Sequence, residues 1–330
     1  MPGAGDRSPA PAFGARLTAA VAARESQIVL GIDPDPARLW ADPREGTGVQ
    51  RERLAVALVG IADAAQAPRP APAAAEAAAA VLVHCRALID AAGPACVAAK
   101  PQLACFERLG SAGWLALEAT CAHAREAGLL VLADGKRGDV PVTAMAYAQG
   151  LVGSTPSPFG AVAGLDVDAL TANPMLGRDA LTPLVEGARA AGAGVFILVR
   201  TSNPGAADVM DLPLATGEPL WERLAQLARE LGDAPGDDLA DVGAVTGATV
   251  PGHLARMREL MPRTPFLLPG VGAQGGDVRA LAPAFAPGRA GGLVTASRSI
   301  ANAYEQSGGP PADAARAEAE RLRELAWDLA

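Results

Sequence analysis

Two acids and a lysine, Asp134, Asp139 and Lys136, stand close together in the segment Asp134-Gly-Lys-Arg-Gly-Asp139, and a second lysine, Lys100, follows an earlier apolar run. Residues two apart in a strand project to the same side, so the Asp134 carboxylate and the Lys136 ammonium can face one pocket. Such an array keeps an ammonium charged, holds it where it can donate a proton and places negative charge beside a reacting anion. A purely structural network of ion pairs is the competing interpretation, because such networks also perturb pKa values.

Asp139 stands just before Val140 and Pro141, and its simplest interpretation is the N-cap of the next helix. Thr143 would then lie in the first turn of that helix. Lys100 and Lys136 are the only lysines of the chain, and both follow apolar runs directly. That placement indicates that both ammonium groups have a role within the folded protein rather than on its surface.

A glycine-rich loop, Gly270-Val-Gly-Ala-Gln-Gly275, matches the G-x-G-x-x-G fingerprint of dinucleotide-binding loops. That fingerprint should open a mononucleotide-binding half and have an acid about 20 residues further on. Here a single strand follows, and Ser297 and Arg298 stand near that distance. A phosphate cradle fits better, because glycines such as Gly272 let N–H groups approach an anion, and Gln274 and Arg298 offer further donors. A dinucleotide loop and plain turns are the alternatives.

Eight short apolar runs must position these residues. They are Ile28–Ile32, Cys96–Ala99, Leu129–Ala133, Gly164–Leu170, Val195–Val199, Val242–Val245, Phe266–Leu268 and Gly292–Ala296. Runs this apolar suit parallel strands buried on both faces, and eight βα units predict a closed (β/α)8 TIM barrel. Chemistry in that fold gathers at the carboxyl ends of the strands. The polar residues that follow the runs are Asp33, Lys100, Asp134 with Lys136, Thr171 with Asn173, Thr201 to Asn203, Thr246, and Ser297 with Arg298.

The whole chain, residues 1–330, is predicted to form one barrel domain. An alanine- and proline-rich insert at about 62–80 reads as a stiff surface linker or a loop before a helix. The C-terminal stretch at about 314–330 reads as a closing helix that Asp313 can cap.

Composition excludes several kinds of partner. A net charge of −8, a pI near 5 and 4% aromatic residues disfavour binding to nucleic acid or to an anionic membrane. The four cysteines lack C-x-x-C spacing and the three histidines are scattered, which predicts reduced thiols and no structural metal site. Because no segment resembles a signal peptide or a membrane span, we expect a cytoplasmic protein.

The motifs together resemble those of orotidine 5′-phosphate decarboxylase in its longer bacterial form. The matching segments, in family order, are Leu30-Gly-Ile-Asp-Pro34, Ala99-Lys-Pro-Gln-Leu-Ala-Cys-Phe-Glu107, Asp134-Gly-Lys-Arg-Gly-Asp139, Thr171-Ala-Asn-Pro-Met-Leu-Gly177, Thr201-Ser-Asn-Pro-Gly205, Pro269 to Gly276 and Ala296-Ser-Arg-Ser299. The D-x-K-x-x-D core also occurs in related sugar-phosphate decarboxylases, whereas the whole set is specific to this family.

The resemblance implies decarboxylation of orotidine 5′-monophosphate to uridine 5′-monophosphate without cofactor or metal, in pyrimidine nucleotide synthesis. It implies that the catalytic array is Lys100, Asp134, Lys136 and Asp139, with Lys136 protonating C6 of the pyrimidine. Asp33 would hold a ribose hydroxyl, Ser202 the pyrimidine edge, and Gln274 and Arg298 the phosphate. It also implies a homodimer with the site at the interface, so that Asp139 and Thr143 serve the partner's pocket.

Two other functions fit part of the pattern. A sugar-phosphate lyase or decarboxylase on the same barrel would use a divalent metal to stabilise an enediolate. A non-catalytic nucleotide-binding protein would keep the phosphate donors and use the charged residues only as a structural network. Metal dependence separates the first from the expected activity, and the effect of removing Lys136 separates the second.

Overall fold

The computed structural model describes residues 11–40, 53, 56, 71–232, 238–272 and 275–330. Its barrel strands are β1 Ile28–Ile32, β2 Ala98–Pro101, β3 Leu130–Arg137, β4 Ala169–Ala172, β5 Gly194–Arg200, β6 Val242–Thr246, β7 Phe266–Pro269 and β8 Gly292–Ala296. All neighbours are parallel, and the barrel closes where β1 pairs with β8. The predicted (β/α)8 barrel is therefore confirmed.

The fourth strand begins later than predicted, at Ala169 rather than at Gly164. The N–H groups of Gly164, Leu165 and Val167 donate to carbonyls of residues 150–153, so this stretch is not part of the barrel ladder. A short antiparallel pair, Ser154–Thr155 with Val162–Ala163, precedes it. The apolar run misled the prediction because Leu165 and Val167 are buried without belonging to a strand.

Helices cover the outside of the barrel. They are α1 Phe13–Arg24, α2 Pro72–Ala92, α3 Leu103–Glu107, α4 Gly110–Glu126, α5 Pro141–Leu151, α6 Arg178–Ala190, α7 Ala207–Met210, α8 Leu220–Leu231, α9 Leu254–Leu260, α10 Arg298–Ala301, α11 Tyr304–Ser307 and α12 Pro311–Trp327. Between β7 and β8 a 3-10 segment, Val278–Phe285, takes the place of a helix.

The barrel interior is filled by alternate strand residues, which form an apolar cluster below the carboxyl ends of the strands. Helix α1 closes the opposite end, where Phe13 is fully buried and meets Phe196 edge to face at 6.0 Å. A side chain at Gly194 would come within 2.3 Å of the Phe13 ring, so this close packing requires glycine. The floor of the pocket is thus a packed apolar core.

Helix α2 includes the last nine residues of the predicted insert, 72–80, whereas residues 62–70 lie outside the described part of the chain. Alanine favours the helix, and Pro72 at its first position is compatible with it. The segment Pro72–Ala95 is long and apolar enough to cross a membrane by length and composition alone, with half of its most apolar window buried. Val81, Leu88 and Ile89 are buried in the core between the barrel and its helices, as expected for a helix that packs against the barrel.

The C-terminal helix, α12, begins three residues earlier than predicted, with Pro310 at the N-cap and Pro311 at the first position. The prediction that Asp313 caps it is wrong, because proline at the first position had already fixed the start. Asp313 lies instead in the first turn, where its carboxylate pairs with Arg316 at 3.2 Å.

Candidate active site

One cavity of about 350 Å³ opens at the carboxyl ends of the strands. Every barrel strand, or the loop directly after it, contributes to its wall. The lining residues are Asp33, Lys100, Gln102, Asp134, Lys136, Thr171, Thr201, Ser202, Asn203, Val245, Leu267, Pro269, Gly270, Val271, Thr295, Ser297 and Arg298. The cavity therefore joins charged groups from β2 and β3 to the loops after β5, β7 and β8.

The Asp134 carboxylate is the centre of this arrangement. Its Oδ2 accepts from Lys100 Nζ at 2.6 Å and from Gln102 Nε2 at 3.3 Å. Its Oδ1 accepts from Lys136 Nζ at 2.6 Å and from Thr171 Oγ1 at 3.0 Å. Four donors, from β2 and the residue directly after it, from β3 and from β4, thus hold one carboxylate, and both ammonium groups are fixed relative to it.

Burial and neighbouring charges shift the pKa values of Asp134 and Lys100 in opposite directions. Burial alone would raise the pKa of Asp134, but the two ammonium groups and their hydrogen bonds outweigh it and hold that pKa well below its usual range. Burial alone would lower the pKa of Lys100, but the charges of Asp134 and Asp33 outweigh it and raise that pKa. Lys100 therefore stays protonated although its residue is only 5% exposed.

Strand β3 is irregular where it carries the charged residues. Between Ala133 and Arg137 it advances four residues while β4 advances two, from Leu170 to Ala172. Lys136 lies in this bulge with φ of 47°, in the left-handed region. Bulges of this kind re-aim side chains next to active sites.

Arg137, which follows Lys136, points away from the carboxylate and forms an ion pair with Glu107 at the end of α3. Its guanidinium also lies 5.5 Å from the centre of the Tyr147 ring on α5. These contacts tie the end of the bulge to two helices outside the barrel.

Three further predicted residues line the same cavity. Asp33 follows β1 and is exposed to the opening. Ser202 follows β5, and its carbonyl accepts a hydrogen bond from Thr249 Oγ1 at 2.9 Å, which joins the loops after β5 and β6. Arg298, the first residue of α10, has no ion-pair partner in the part of the chain that the structure describes, so its guanidinium is available to a ligand.

The glycine loop lies beside Arg298. Gly270, Gly272 and Gly275 have φ values of 104°, 71° and 85°, so the loop needs glycine at these positions. Gly270 lines the cavity, whereas Gly272 lies on the far side of Arg298, in an adjoining surface groove. Gln274, the predicted amide donor, lies outside the described residues.

Asp139 and Thr143 do not line the cavity of their own chain. The prediction that Asp139 is the N-cap is wrong, because Val140 holds that position and Pro141 begins the helix. Asp139 Oδ1 instead accepts from the Val140 N–H at 2.7 Å. Thr143 lies in the first turn, as predicted, and its hydroxyl donates to the Val140 carbonyl at 3.1 Å.

Gln102 and Thr171 are contacts of Asp134 to which the sequence analysis gave no role. The signal that could have found them is the alternation of strand residues, because Lys100 and Gln102 share a face, and Thr171 follows Ala169 on the inner face of β4.

Among the described residues no three His, Cys, Asp or Glu side chains are grouped so that they could hold a metal ion.

Comparison with known proteins gives a consistent result. The family model described as orotidine 5′-phosphate decarboxylase / HUMPS family matches residues 65–315. An orotidine 5′-phosphate decarboxylase of Deinococcus radiodurans is 48% identical over 238 residues, 71% of this chain and 82% of that protein. The enzyme of the same name from Thermomicrobium roseum is 36% identical over 94% of both chains. The structure of Leishmania donovani OMP decarboxylase superposes with a TM-score of 0.66 at 28% identity, covering 96% of this chain and 98% of that one. The chain belongs to the orotidine 5′-phosphate decarboxylase / HUMPS family.

Proposed function

We propose that this protein is a carboxy-lyase that converts orotidine 5′-monophosphate to uridine 5′-monophosphate and CO2 in pyrimidine synthesis. The observation that carries the proposal is the pair of ammonium groups on opposite oxygens of Asp134, in a cavity that also contains Arg298. Family membership and relatives named for this activity support it.

The chemical step breaks the bond between C6 and the carboxylate, and the electron pair stays on C6. Lys136 is placed to stabilise this negative charge as it develops, since its Nζ is charged and held at a fixed position by Asp134. Its proton then moves to C6, the Lys136 amine becomes neutral, and it regains a proton from solvent. Because the ammonium is both the stabilising charge and the proton source, the step needs no further cofactor.

Asp134 and Lys100 prepare this ammonium. The low pKa of Asp134 keeps its carboxylate charged at neutral pH, so that two positive charges are held around it in a buried site. Placed beside the substrate carboxylate, the Asp134 charge would favour departure of that group as neutral CO2. Lys100 offsets part of the Asp134 charge from the opposite side and fixes its orientation.

The rest of the cavity recognises the nucleotide. Asp33 would accept from a ribose hydroxyl, Ser202 would contact the polar edge of the pyrimidine, and Arg298 would bind the phosphate with Gly272 and Gln274. Binding energy from the remote phosphate is useful if it is expressed in the transition state, for example by closing loops over the reacting ring.

The site is proposed to be shared between two subunits of a homodimer. Asp139 and Thr143 lie outside their own cavity, next to exposed apolar side chains, Val140 at 55% and Val142 at 83%. Neighbouring exposed apolar side chains can belong to a protein interface. In the dimer Asp139 would complete the charged array of the partner's pocket, and the enzyme would work in the cytoplasm.

The direct test is turnover of orotidine 5′-monophosphate by purified protein, followed spectrophotometrically with and without a chelator. The proposal predicts conversion to uridine 5′-monophosphate at the same rate in both samples. Turnover that is lost in chelator and restored by magnesium would favour a metal-dependent mechanism instead. Binding of uridine 5′-monophosphate without any turnover would favour a nucleotide-binding protein.

A further inference from the structure

We infer that Thr171 is a positioning residue that sets the direction of the Lys136 ammonium through a closed ring of hydrogen bonds. This inference rests on the proposed function, because it names a residue that prepares the proton donor of that reaction. Thr171 stands at the end of β4 on the inner face of the barrel and is only 1% exposed.

The Thr171 hydroxyl accepts one hydrogen bond and donates another. Its oxygen accepts from the Lys136 backbone N–H at 2.8 Å, and its proton goes to Asp134 Oδ1 at 3.0 Å. The same Oδ1 accepts from Lys136 Nζ at 2.6 Å. One hydroxyl thus binds the backbone of Lys136 and also the carboxylate that holds the end of its side chain.

The bulge in β3 explains why this hydroxyl is needed. Register is lost between Ala133 and Arg137, opposite Thr171, so the part-buried Lys136 N–H has no partner in the strand ladder and bonds to the Thr171 hydroxyl instead. Lys136 is also left-handed, with φ of 47°, which is uncommon for a residue other than glycine. The hydroxyl supplies the missing partner in the conformation that aims the side chain back towards Asp134.

Charge alone does not fix this geometry. Lys136 has a long, flexible side chain that is 43% exposed, so its pairing with Asp134 permits several approaches. The bond to the backbone fixes where the side chain begins, and the bond to Asp134 fixes where the carboxylate stands. An error of about 1 Å in such a placement can lower a rate about 100-fold.

The experiment compares three substitutions at position 171 with one matched control. Thr171→Val keeps the shape and removes the hydroxyl, Thr171→Ala removes it without added bulk, and Thr171→Ser restores it. Thr246→Val is the control, because Thr246 is a buried threonine at the end of β6 whose hydroxyl has no partner among the described residues. Thermal unfolding of each variant, kcat and KM for orotidine 5′-monophosphate, and crystal structures of the wild type and Thr171→Val are measured.

We expect kcat to fall about 100-fold in the Val and Ala variants, while KM changes less than about threefold. Thr171→Ser is expected to recover most of the rate, and Thr246→Val to retain it. The Lys136 φ is expected to leave the left-handed region in Thr171→Val. If the valine variant does not fold, the difference between Ser and Ala, which differ by one oxygen atom, gives the same comparison.

Several outcomes would overturn the inference. They are a kcat near the wild-type value without the hydroxyl, an equal loss in Thr171→Ser, or an equal loss in Thr246→Val. Failure of the proposed function is distinguishable, because wild-type protein would then not convert the nucleotide at all. In that case the crystal structures decide: unchanged Lys136 φ and Nζ–Oδ1 distance in Thr171→Val would refute the positioning role.

Discussion

Lys136 places its Nζ 2.6 Å from Oδ1 of Asp134, although the two residues lie in a bulge and not in a regular strand. In a regular strand, residues two apart share a face, and their Cα atoms lie roughly 7 Å apart. Lys136 departs from that regular geometry, since its backbone is left-handed, and its side chain still reaches the carboxylate. The proposed proton donor is therefore held by a local distortion as well as by charge.

Removal of the Arg298 guanidinium should weaken binding of ligands that carry a phosphate. In Arg298→Ala we expect the Kd for uridine 5′-monophosphate to rise at least about tenfold, because a bidentate, charge-assisted contact is lost. Calorimetric titration with uridine 5′-monophosphate and with uridine measures both affinities. An equal loss of affinity for uridine, which has no phosphate, would contradict the assignment of Arg298.

Complementation between inactive variants tests whether Asp139 serves the partner's pocket. Mixed dimers of Lys136→Ala and Asp139→Ala would contain one pocket with both changes and one with neither. Random mixing makes half of the dimers mixed, so we expect about a quarter of wild-type activity to return. The measurement is turnover after the two variants are refolded together.

A control pair of variants shows whether recovered activity could come merely from one variant stabilising the other in a mixed dimer. Lys100→Ala mixed with Lys136→Ala should recover no activity, since both residues line the pocket of their own chain. No recovery in the Asp139 pair either would contradict an interface site.

Protonation of His84 should destabilise the fold in mild acid. The imidazole is buried beside Trp40, and burial lowers the pKa of His84 from 6.5 to about 4. Between these values the unfolded chain binds a proton that the folded chain does not, so the free energy of unfolding falls as pH falls from 6.5 to 4. The full effect corresponds to about 3 kcal/mol.

Urea unfolding at pH 7 and pH 5 measures this effect. The decrease in unfolding free energy between the two pH values should be smaller in His84→Gln, which has no group titrating in this range at that position. Equal decreases in the wild type and the variant would show that His84 is not the group responsible.

Much of the fold follows from local pattern. Strands such as β1 and β5 are buried on both faces, so their apolar runs locate them directly. The start of β4 could not be located this way, because the N–H groups of the buried Leu165 and Val167 donate to carbonyls at the end of α5 instead of to a neighbouring strand. The prediction of Asp139 as the N-cap of α5 is likewise off by one residue, because Pro141 takes the first helical position and leaves the N-cap to Val140.

The candidate site was less predictable than the barrel. Residue type and strand-end position were enough to select Lys100, Asp134, Lys136 and Arg298, which line one cavity. The part played by Thr171 depends on the register between β3 and β4 and on the bulge opposite it. Alternation along β4 places Thr171 on the inner face, but spacing in the sequence does not show which residues of β3 it contacts.

The most direct test of the account is the effect of Lys136→Ala on turnover and on ligand binding, measured on the same preparation. The account predicts that orotidine 5′-monophosphate decarboxylation falls by several orders of magnitude, because the variant has lost both the stabilising charge and the proton donor. It also predicts that uridine 5′-monophosphate still binds, since Asp33, Ser202 and Arg298 are unchanged. Turnover close to the wild-type rate in the folded variant would contradict the assignment of Lys136 as the proton donor.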